Sequence, residues 1–212
     1  MPFQKPVILV LGCQKYRVYL EAAVRRFAHP LVEVVGCVGD PTATTAVYDV
    51  STGIVTLPVP DTYQDLPKKV WAALTWCKDT WPNTPGVFKT DDDILVDKKQ
   101  LIESILRNTT QSYWGFVPHS VQAATVNPIR LQMHNVTECM GVTHQTAVYC
   151  YGHGYWVSAE GLAAVRKGRE DYWNSFLEDV CTGFVLNRAG MYPKQCPIPY
   201  KELPRGPELL SL

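Results

Sequence analysis

The sequence predicts an α/β fold in a single domain, residues 1–212, on three observations. Pro6–Gly12 is a continuous apolar run ending in Gly, Tyr16–Phe27 repeats apolar side chains at three- and four-residue steps, and Leu31–Val38 is a second β-branched run. Strand, helix, strand in that order is a βαβ unit. No internal repeat, low-complexity tract or linker divides the chain, and 46% hydrophobic with 19% charged residues is ordinary globular composition. A chain of 212 residues buries most of its apolar surface without disulfide or metal staples.

Each element follows from local chemistry. Pro6–Gly12 suits a strand buried on both faces of a parallel sheet. Ligands of such sheets bind beyond the carboxyl ends of strands, which directs attention to Gly12-Cys13 and Gly39-Asp40. Ala46–Val50 and Gly53–Leu57 read as short strands around a turn, and Pro58 and Pro60 then break regular structure. Leu66–Asp79 is a helix with Val70, Trp71 and Leu74 on one side; Gly86–Lys89 is a brief strand leading into Asp91-Asp92-Asp93. Lys98–Asn108 reads as a helix and Tyr113–Val117 as a strand. Val121–Thr143 is less regular, a loop or hairpin over the site. Ala147–Val157 reads as an aromatic-rich strand with Gly152 and Gly154 inside it. Ala159–Arg166 is a short helix with Ser158 as N-cap, and Trp173–Asn187 a further helix carrying Glu178 and Asp179. From Pro193 onward the proline-rich tail is expected to wrap the surface.

Charge and cysteine content narrow the function classes. Lys+Arg and Asp+Glu both number 20, which argues against nucleic acid as the main partner. The seven cysteines are scattered with no CxxC pair, so zinc is disfavoured and a reducing compartment is favoured. Asn108-Thr109-Thr110 and Asn135-Val136-Thr137 are glycosylation sequons that matter only in a secretory lumen. Val7–Gly12 is far short of a membrane span and lacks the form of a signal peptide. The expectation is a soluble, cytoplasmic protein, the alternative a lumenal catalytic fragment of an anchored Golgi-type enzyme; nothing here sets the oligomeric state.

Three constellations carry chemistry. Three consecutive aspartates between Val87-Phe88 and Ile94-Leu95-Val96 repel one another and resist burial unless a cation neutralises them. Carboxylate oxygens suit Mg²⁺ or Mn²⁺, and such a metal can bridge the phosphates of a nucleoside diphosphate. The competing reading is an acidic turn capping the next helix; an EF-hand loop is disfavoured because its pattern and Gly are missing. Glu178-Asp179 offers either a solvated helix face or a general base for a sugar hydroxyl. Tyr149–Trp156 offers either a tightly packed bulged strand or a stacking surface for sugars, with His153 as a substrate contact or a merely hydrogen-bonded ring.

Taken together, the segments resemble the β-1,3-galactosyltransferase and Fringe-type family of GT-A glycosyltransferases. Asp61-Thr62-Tyr63-Gln64-Asp65-Leu66-Pro67-Lys68-Lys69 is similar to the family's Asp-x-Tyr-x-Asn-Leu-x-x-Lys, with Asp for Asn. Lys89-Thr90-Asp91-Asp92-Asp93-Ile94-Leu95-Val96 is similar to Lys-Thr-Asp-Asp-Asp-Val-Phe-Val. Tyr149–Ser158 resembles Tyr-x-x-Gly-x-Gly-Tyr-x-x-Ser, and Glu178–Gly183 resembles Glu-Asp-Val-x-x-Gly. The four stand in family order across residues 61–183. A looser likeness is to compact glycosyltransferases encoded by large algal DNA viruses.

The resemblance implies a GT-A domain, Rossmann-like, with a mixed central sheet flanked by helices. The nucleotide-binding part would be about residues 1–97 and the acceptor-binding part about 98–212. It also implies a UDP-sugar donor, a glycan or glycoprotein acceptor, and Mn²⁺ with Mg²⁺ as the alternative. By position, Asp91 and Asp93 would hold the metal, Asp93 chiefly, and Asp179 would be the base of an inverting displacement. Gly12, Cys13, Arg17, Asp40, Lys69 and Asp92 would meet the nucleotide-sugar; Gly152, His153, Gly154, Tyr155 and Glu178 would meet acceptor or sugar. Two departures stand out: no N-terminal anchor is seen, and the last His is His153, so no carboxyl-terminal His ligand is at hand. A retaining transferase, a nucleotidyltransferase and a non-catalytic glycan-binding domain are the alternatives.

Overall fold

The computed structural model describes residues 4–117, 147–196 and 198–210. The expected loop or hairpin at 121–143 lies outside them. In chain order the chain forms β1 (Val7–Leu11), α1 (Arg17–Phe27), β2 (Glu33–Gly39), β3 (Val47–Asp49), β4 (Ile54–Leu57) and α2 (Leu66–Thr80). Then come β5 (Gly86–Asp91), β6 (Ile94–Val96), α3 (Lys98–Arg107), β7 (Tyr113–Gly115), β8 (Gly154–Ser158) and α4 (Ala159–Lys167). The chain closes with α5 (Arg169–Trp173), α6 (Glu178–Arg188), β9 (Lys194–Gln195), β10 (Tyr200–Glu202) and α7 (Pro207–Leu210).

Among the described residues, eight strands form one mixed sheet in the order β3-β4-β2-β1-β5-β8-β7-β9, and β10 pairs antiparallel with β6 beside it. β1 lies parallel between β2 and β5. Its five apolar residues are all buried, as a strand covered on both faces requires. Alternation splits them: Val7, Leu9 and Leu11 join a core with α2, α4 and α6, while Ile8 and Val10 join another with α1 and α3. The result is helices on both faces of a central sheet.

Local signals explain most boundaries. Ser158 accepts a hydrogen bond from the Gly161 amide at 3.2 Å, the expected N-cap of α4. Asp97 does the same for α3 through the Gln100 amide at 2.8 Å. Gly53, with φ of 69°, turns the β3–β4 hairpin.

Three expectations need correction. The helix read over Trp173–Asn187 is two helices, and α6 begins at Glu178, so Glu178 and Asp179 occupy its first turn rather than its flank. Acidic residues are favoured there by the helix dipole. The strand read over Ala147–Val157 starts only at Gly154; Gly152 and His153 form a turn before it. The tail lies mostly on the surface, as expected, but it is more than a wrap: β10 pairs with β6, directly after the acidic triplet, and Leu209 of α7 is buried.

Candidate functional site at the carboxyl edge of the sheet

Parallel register sets Leu11 of β1 beside Asp91 of β5, and the Asp92 amide donates to the Leu11 carbonyl at 3.0 Å. The acidic triplet therefore turns at the carboxyl edge of the central strands, where such sheets bind ligands. Gly12 follows β1 there. A Cβ on Gly12 would stand 3.1 Å from Asp92 Oδ2 and 3.0 Å from Leu20 Cβ, so the backbone and the carboxylate meet only because position 12 has no side chain.

One side of this turn is closed. β5 runs to Asp91, so Lys89 and Asp91 share a face of the strand. Lys89 Nζ, its side chain 1% exposed, bonds Asp91 Oδ1 at 2.8 Å and donates to Glu178 Oε1 at 2.9 Å and to the Gly152 carbonyl. Tyr155 OH donates to Glu178 Oε2 at 2.8 Å. Thr182 Oγ1 donates to the Glu178 carbonyl at 2.8 Å, which leaves it to accept from Tyr172 OH at 2.8 Å. Burial opposes the Lys89 charge, but Asp91 and Glu178 outweigh it and raise its pKa. Burial pushes Glu178 up to about 7 although Lys89 pulls it down. Gly152 is held against this cluster: a Cβ there would stand 2.8 Å from Glu178 Oε1. Its amide donates to Asp179 Oδ2 at 3.1 Å, which seats Asp179 beside the same turn.

The other side is open. Asp92 is fully buried, yet only Oδ1 has a partner, Arg205 Nη2 at 2.6 Å; Oδ2 has none among the described residues. Burial raises the Asp92 pKa against the pull of Arg205. Arg205 Nη2 also stands 3.2 Å from Asp93 Oδ2. Burial first, then Asp91, pushes Asp93 up to about 6 despite Arg205, and Glu202 adds to the push. Asp91, Asp92, Asp93, Glu202 and Glu178, five carboxylates, thus face three cations, Arg205, Lys89 and Arg26. That surplus of negative charge fits a divalent cation. Among the described residues no three His, Cys, Asp or Glu side chains gather as a ready metal cage, so Asp91 and Asp93 would share the ion with ligand or water oxygens.

The galactosyltransferase family model matches residues 47–197, well over half of the chain, and that span holds Asp91–Asp93, Gly152 and Asp179. The chain belongs to the galactosyltransferase family. It is similar to beta-1,3-galactosyltransferase 4 of Homo sapiens, 27% identical over 164 residues, 64% of this chain and 43% of the relative. It is also similar to beta-1,3-galactosyltransferase 1 of Mus musculus, 25% identical over 139 residues, 64% of this chain and 41% of the relative. The chain thus spans about two fifths of the length of these curated relatives. A solved glycosyltransferase involved in the glycosylation of the major capsid of PBCV-1 shares the fold at a TM-score of 0.53. It is 14% identical, over 91% of this chain and 82% of that one. The 4-diphosphocytidyl-2C-methyl-D-erythritolsynthase from Anaerococcus prevotii DSM 20548 also shares it, at a TM-score of 0.51 and 10% identity, over 91% and 87%. The domain is accordingly a single GT-A α/β domain, its central sheet flanked by helices.

Not every residue expected at this galactosyltransferase-family site reaches it. Gly12, Cys13 and the acidic triplet converge on the edge, and Gly152 and Asp179 stand across Lys89 from Asp91. Asp40 follows β2 on the same edge and closes a turn by accepting from Thr42 N at 2.8 Å and Thr42 Oγ1 at 2.7 Å, bonds that lower its pKa. Arg17 pairs instead with Glu21 at 3.4 Å and Asp49 of β3 at 3.9 Å.

Four of the expected site residues are buried. Lys69 is enclosed, donating to the Gly12 carbonyl at 2.7 Å and Asp61 Oδ1 at 2.8 Å. Asp61 also accepts from the Gln14 and Gly39 amides at 2.6 and 2.9 Å, so this pair ties the ends of β1 and β2 together. Asp92 is buried and accepts from Arg205. Glu178 and Tyr155 are buried and bonded to each other beneath the turn.

His153 stacks on Tyr200 of β10, ring centroids 3.5 Å apart, beside Phe116 and Tyr151. Burial pushes its pKa down to about 4, with Asp91 opposing and Lys89 assisting. Gly154, at the start of β8, helps line an apolar pocket with Phe88, Thr90, Trp114, His153 and Tyr200. Phe88 and Thr90 alternate with Lys89, which puts this pocket on the opposite face of the sheet from the closed cluster. Sequence reasoning missed Arg205, Tyr200 and the strut made by Asp61. The signal for Asp61 was present in the first matched motif; Arg205 is a lone basic residue among prolines and carries no local pattern.

Proposed function

We propose that this domain transfers a hexosyl or deoxyhexosyl unit from a UDP-sugar to a hydroxyl of a glycan acceptor, with inversion and with Mn²⁺ or Mg²⁺ at Asp91 and Asp93. The observation that carries it is the Asp91–Asp93 turn at the carboxyl edge of β5, with more negative charge than its neighbours balance, inside the galactosyltransferase match. The β-1,3-galactosyltransferase relatives and the glycosyltransferase fold support the same reading. The bound cation would supply charge neutralisation for the departing diphosphate.

The chain's own residues divide the remaining work. Gly12, Cys13 and Asp40 border the edge where the nucleoside would lie. Asp179, hydrogen-bonded to the Gly152 amide in the first turn of α6, takes the proton of the acceptor hydroxyl. The acceptor oxygen then bonds the anomeric carbon as its bond to the diphosphate breaks, and UDP leaves. Lys89 and Glu178 hold the two halves of this arrangement in register.

A panel of UDP-sugars, assayed for UDP release with Mn²⁺, with excess chelator and in Asp93→Ala, tests the reading. UDP release that needs Mn²⁺ and disappears in Asp93→Ala is the expected result. Full activity under chelation or in that variant would refute the metal assignment, and no release from any UDP-sugar would refute the transferase.

A further inference from the structure

Among the described residues, three cations touch the acidic turn. Lys89 is 1% exposed and committed to Asp91, Glu178 and the Gly152 carbonyl. Arg26 reaches up from α1 to the Asp92 and Ile94 carbonyls at 3.4 and 3.0 Å, with Nε and Nη1 buried and without partners among the described residues. Lys89 cannot meet a ligand without leaving the interior, and Arg26, only partly exposed, spends Nη2 on those carbonyls and keeps its other two nitrogens buried. Arg205 differs: its side chain is 31% exposed while Nη2 holds both Asp92 and Asp93.

Arg205 is also aimed. Its guanidinium lies over the Tyr16 ring, 4.6 Å from the centroid, at the end of the turn that follows β1. The segment carrying it is fixed on both sides. Before it, Tyr200, Lys201 and Glu202 pair with Val96, Leu95 and Ile94, and the Leu203 amide donates to the Asp93 carbonyl at 2.9 Å. After it, Leu209 of α7 is buried. A guanidinium clamped by two carboxylates and a ring loses little freedom on meeting an anion.

We propose that Arg205 is a donor-binding residue: held by Asp92 and Asp93, it presents fixed positive charge to the nucleoside diphosphate beside the cation-binding carboxylates. This rests on the UDP-sugar reading above. A diphosphate carries more charge than one divalent ion held by two carboxylates can offset, and Arg205 is the most exposed cation of the three at the turn. It also gives the buried Asp92 its role, that of a holder for Arg205.

The test is binding of UDP and of uridine, by calorimetry and competition, in saturating Mn²⁺, to the wild-type chain and to Arg205→Ala and Arg205→Lys. Loss of a charge-assisted contact weakens UDP binding by roughly 10- to 100-fold. Uridine, lacking phosphate, should bind all variants alike, and Lys should restore part of the UDP affinity. Because Arg205→Ala strands a buried Asp92, the paired variant Asp92→Asn with Arg205→Gln keeps a neutral hydrogen bond and tests the same loss in a folded chain. UDP affinity equal to wild type in the paired variant overturns the proposal, as does an equal loss for UDP and uridine. Failure of the wild type itself to bind UDP overturns the functional reading and this inference with it.

Discussion

Lys89, two residues before the acidic turn, and Arg205, far along the chain from it, leave that turn in different states. Around Lys89, both oxygens of Glu178 are bonded, and Tyr155, Thr182 and Tyr172 extend the chain of hydrogen bonds into the core. Around Arg205, one oxygen of the buried Asp92 has no partner among the described residues, and Asp93 is pushed up to about 6. A satisfied buried network rigidifies what it holds, whereas an unbalanced one stays ready for a ligand. The first is a fastening between strand and helix; the second is where chemistry is expected.

The sharpest way to break this contrast is Lys89→Met. It strands Asp91 and Glu178 against each other, and removing one partner of a buried ionic group costs about 3–5 kcal/mol. Urea denaturation should show a loss of that size, and a loss below about 1 kcal/mol would mean the cluster is not a fastening. Asp179→Asn probes the boundary between the two sides. It should lower turnover by roughly 10²–10⁴-fold with little effect on UDP affinity or stability; unchanged turnover removes Asp179 from the mechanism.

The open side predicts a pH dependence. The Asp93 carboxyl is easier to protonate in the folded chain, about 6, than in the unfolded one, ~3.9. Its contribution to stability is therefore fully present below the unfolded value and is lost as pH rises through about 6. Denaturation midpoints without metal should fall by the equivalent of on the order of 1–3 kcal/mol across that window. Asp93→Asn should remove this part of the slope, and Mn²⁺ should flatten it; a profile identical in wild type and variant would contradict the burial argument. An effect no larger is expected for Tyr155→Phe, which leaves Glu178 Oε2 without its donor at a cost of about 1–3 kcal/mol in stability.

Much of the frame was legible because its signals are local. The apolar run at β1, the Ser158 cap of α4 and the Gly53 turn each depend on a few adjacent residues, and each appears where the sequence put it. The acidic triplet was legible as a candidate because three like charges between apolar runs demand a cation. What the sequence hid is long-range. Nothing near Glu178 reveals that Lys89 will meet it, or that Tyr155 will be sealed beneath it. The break before α6 escaped because Trp173–Asn187 keeps helical residues throughout, while the helix actually starts at an acidic first turn. β9 and β10 are two and three residues long and exposed, too short for any alternation to register.

The pairing of β10 with β6 bears on how pieces of this domain can be exchanged. The family match begins at residue 47 and stops at 197, so it contains the acidic turn but neither Gly12, which makes room for Asp92, nor Arg205, which neutralises it. A chimera that transplanted only the matched segment into a relative would carry three aspartates away from the two neighbours that let them sit together. Residues 7–12 and 200–210 would have to travel with residues 91–93 as a single unit of inheritance.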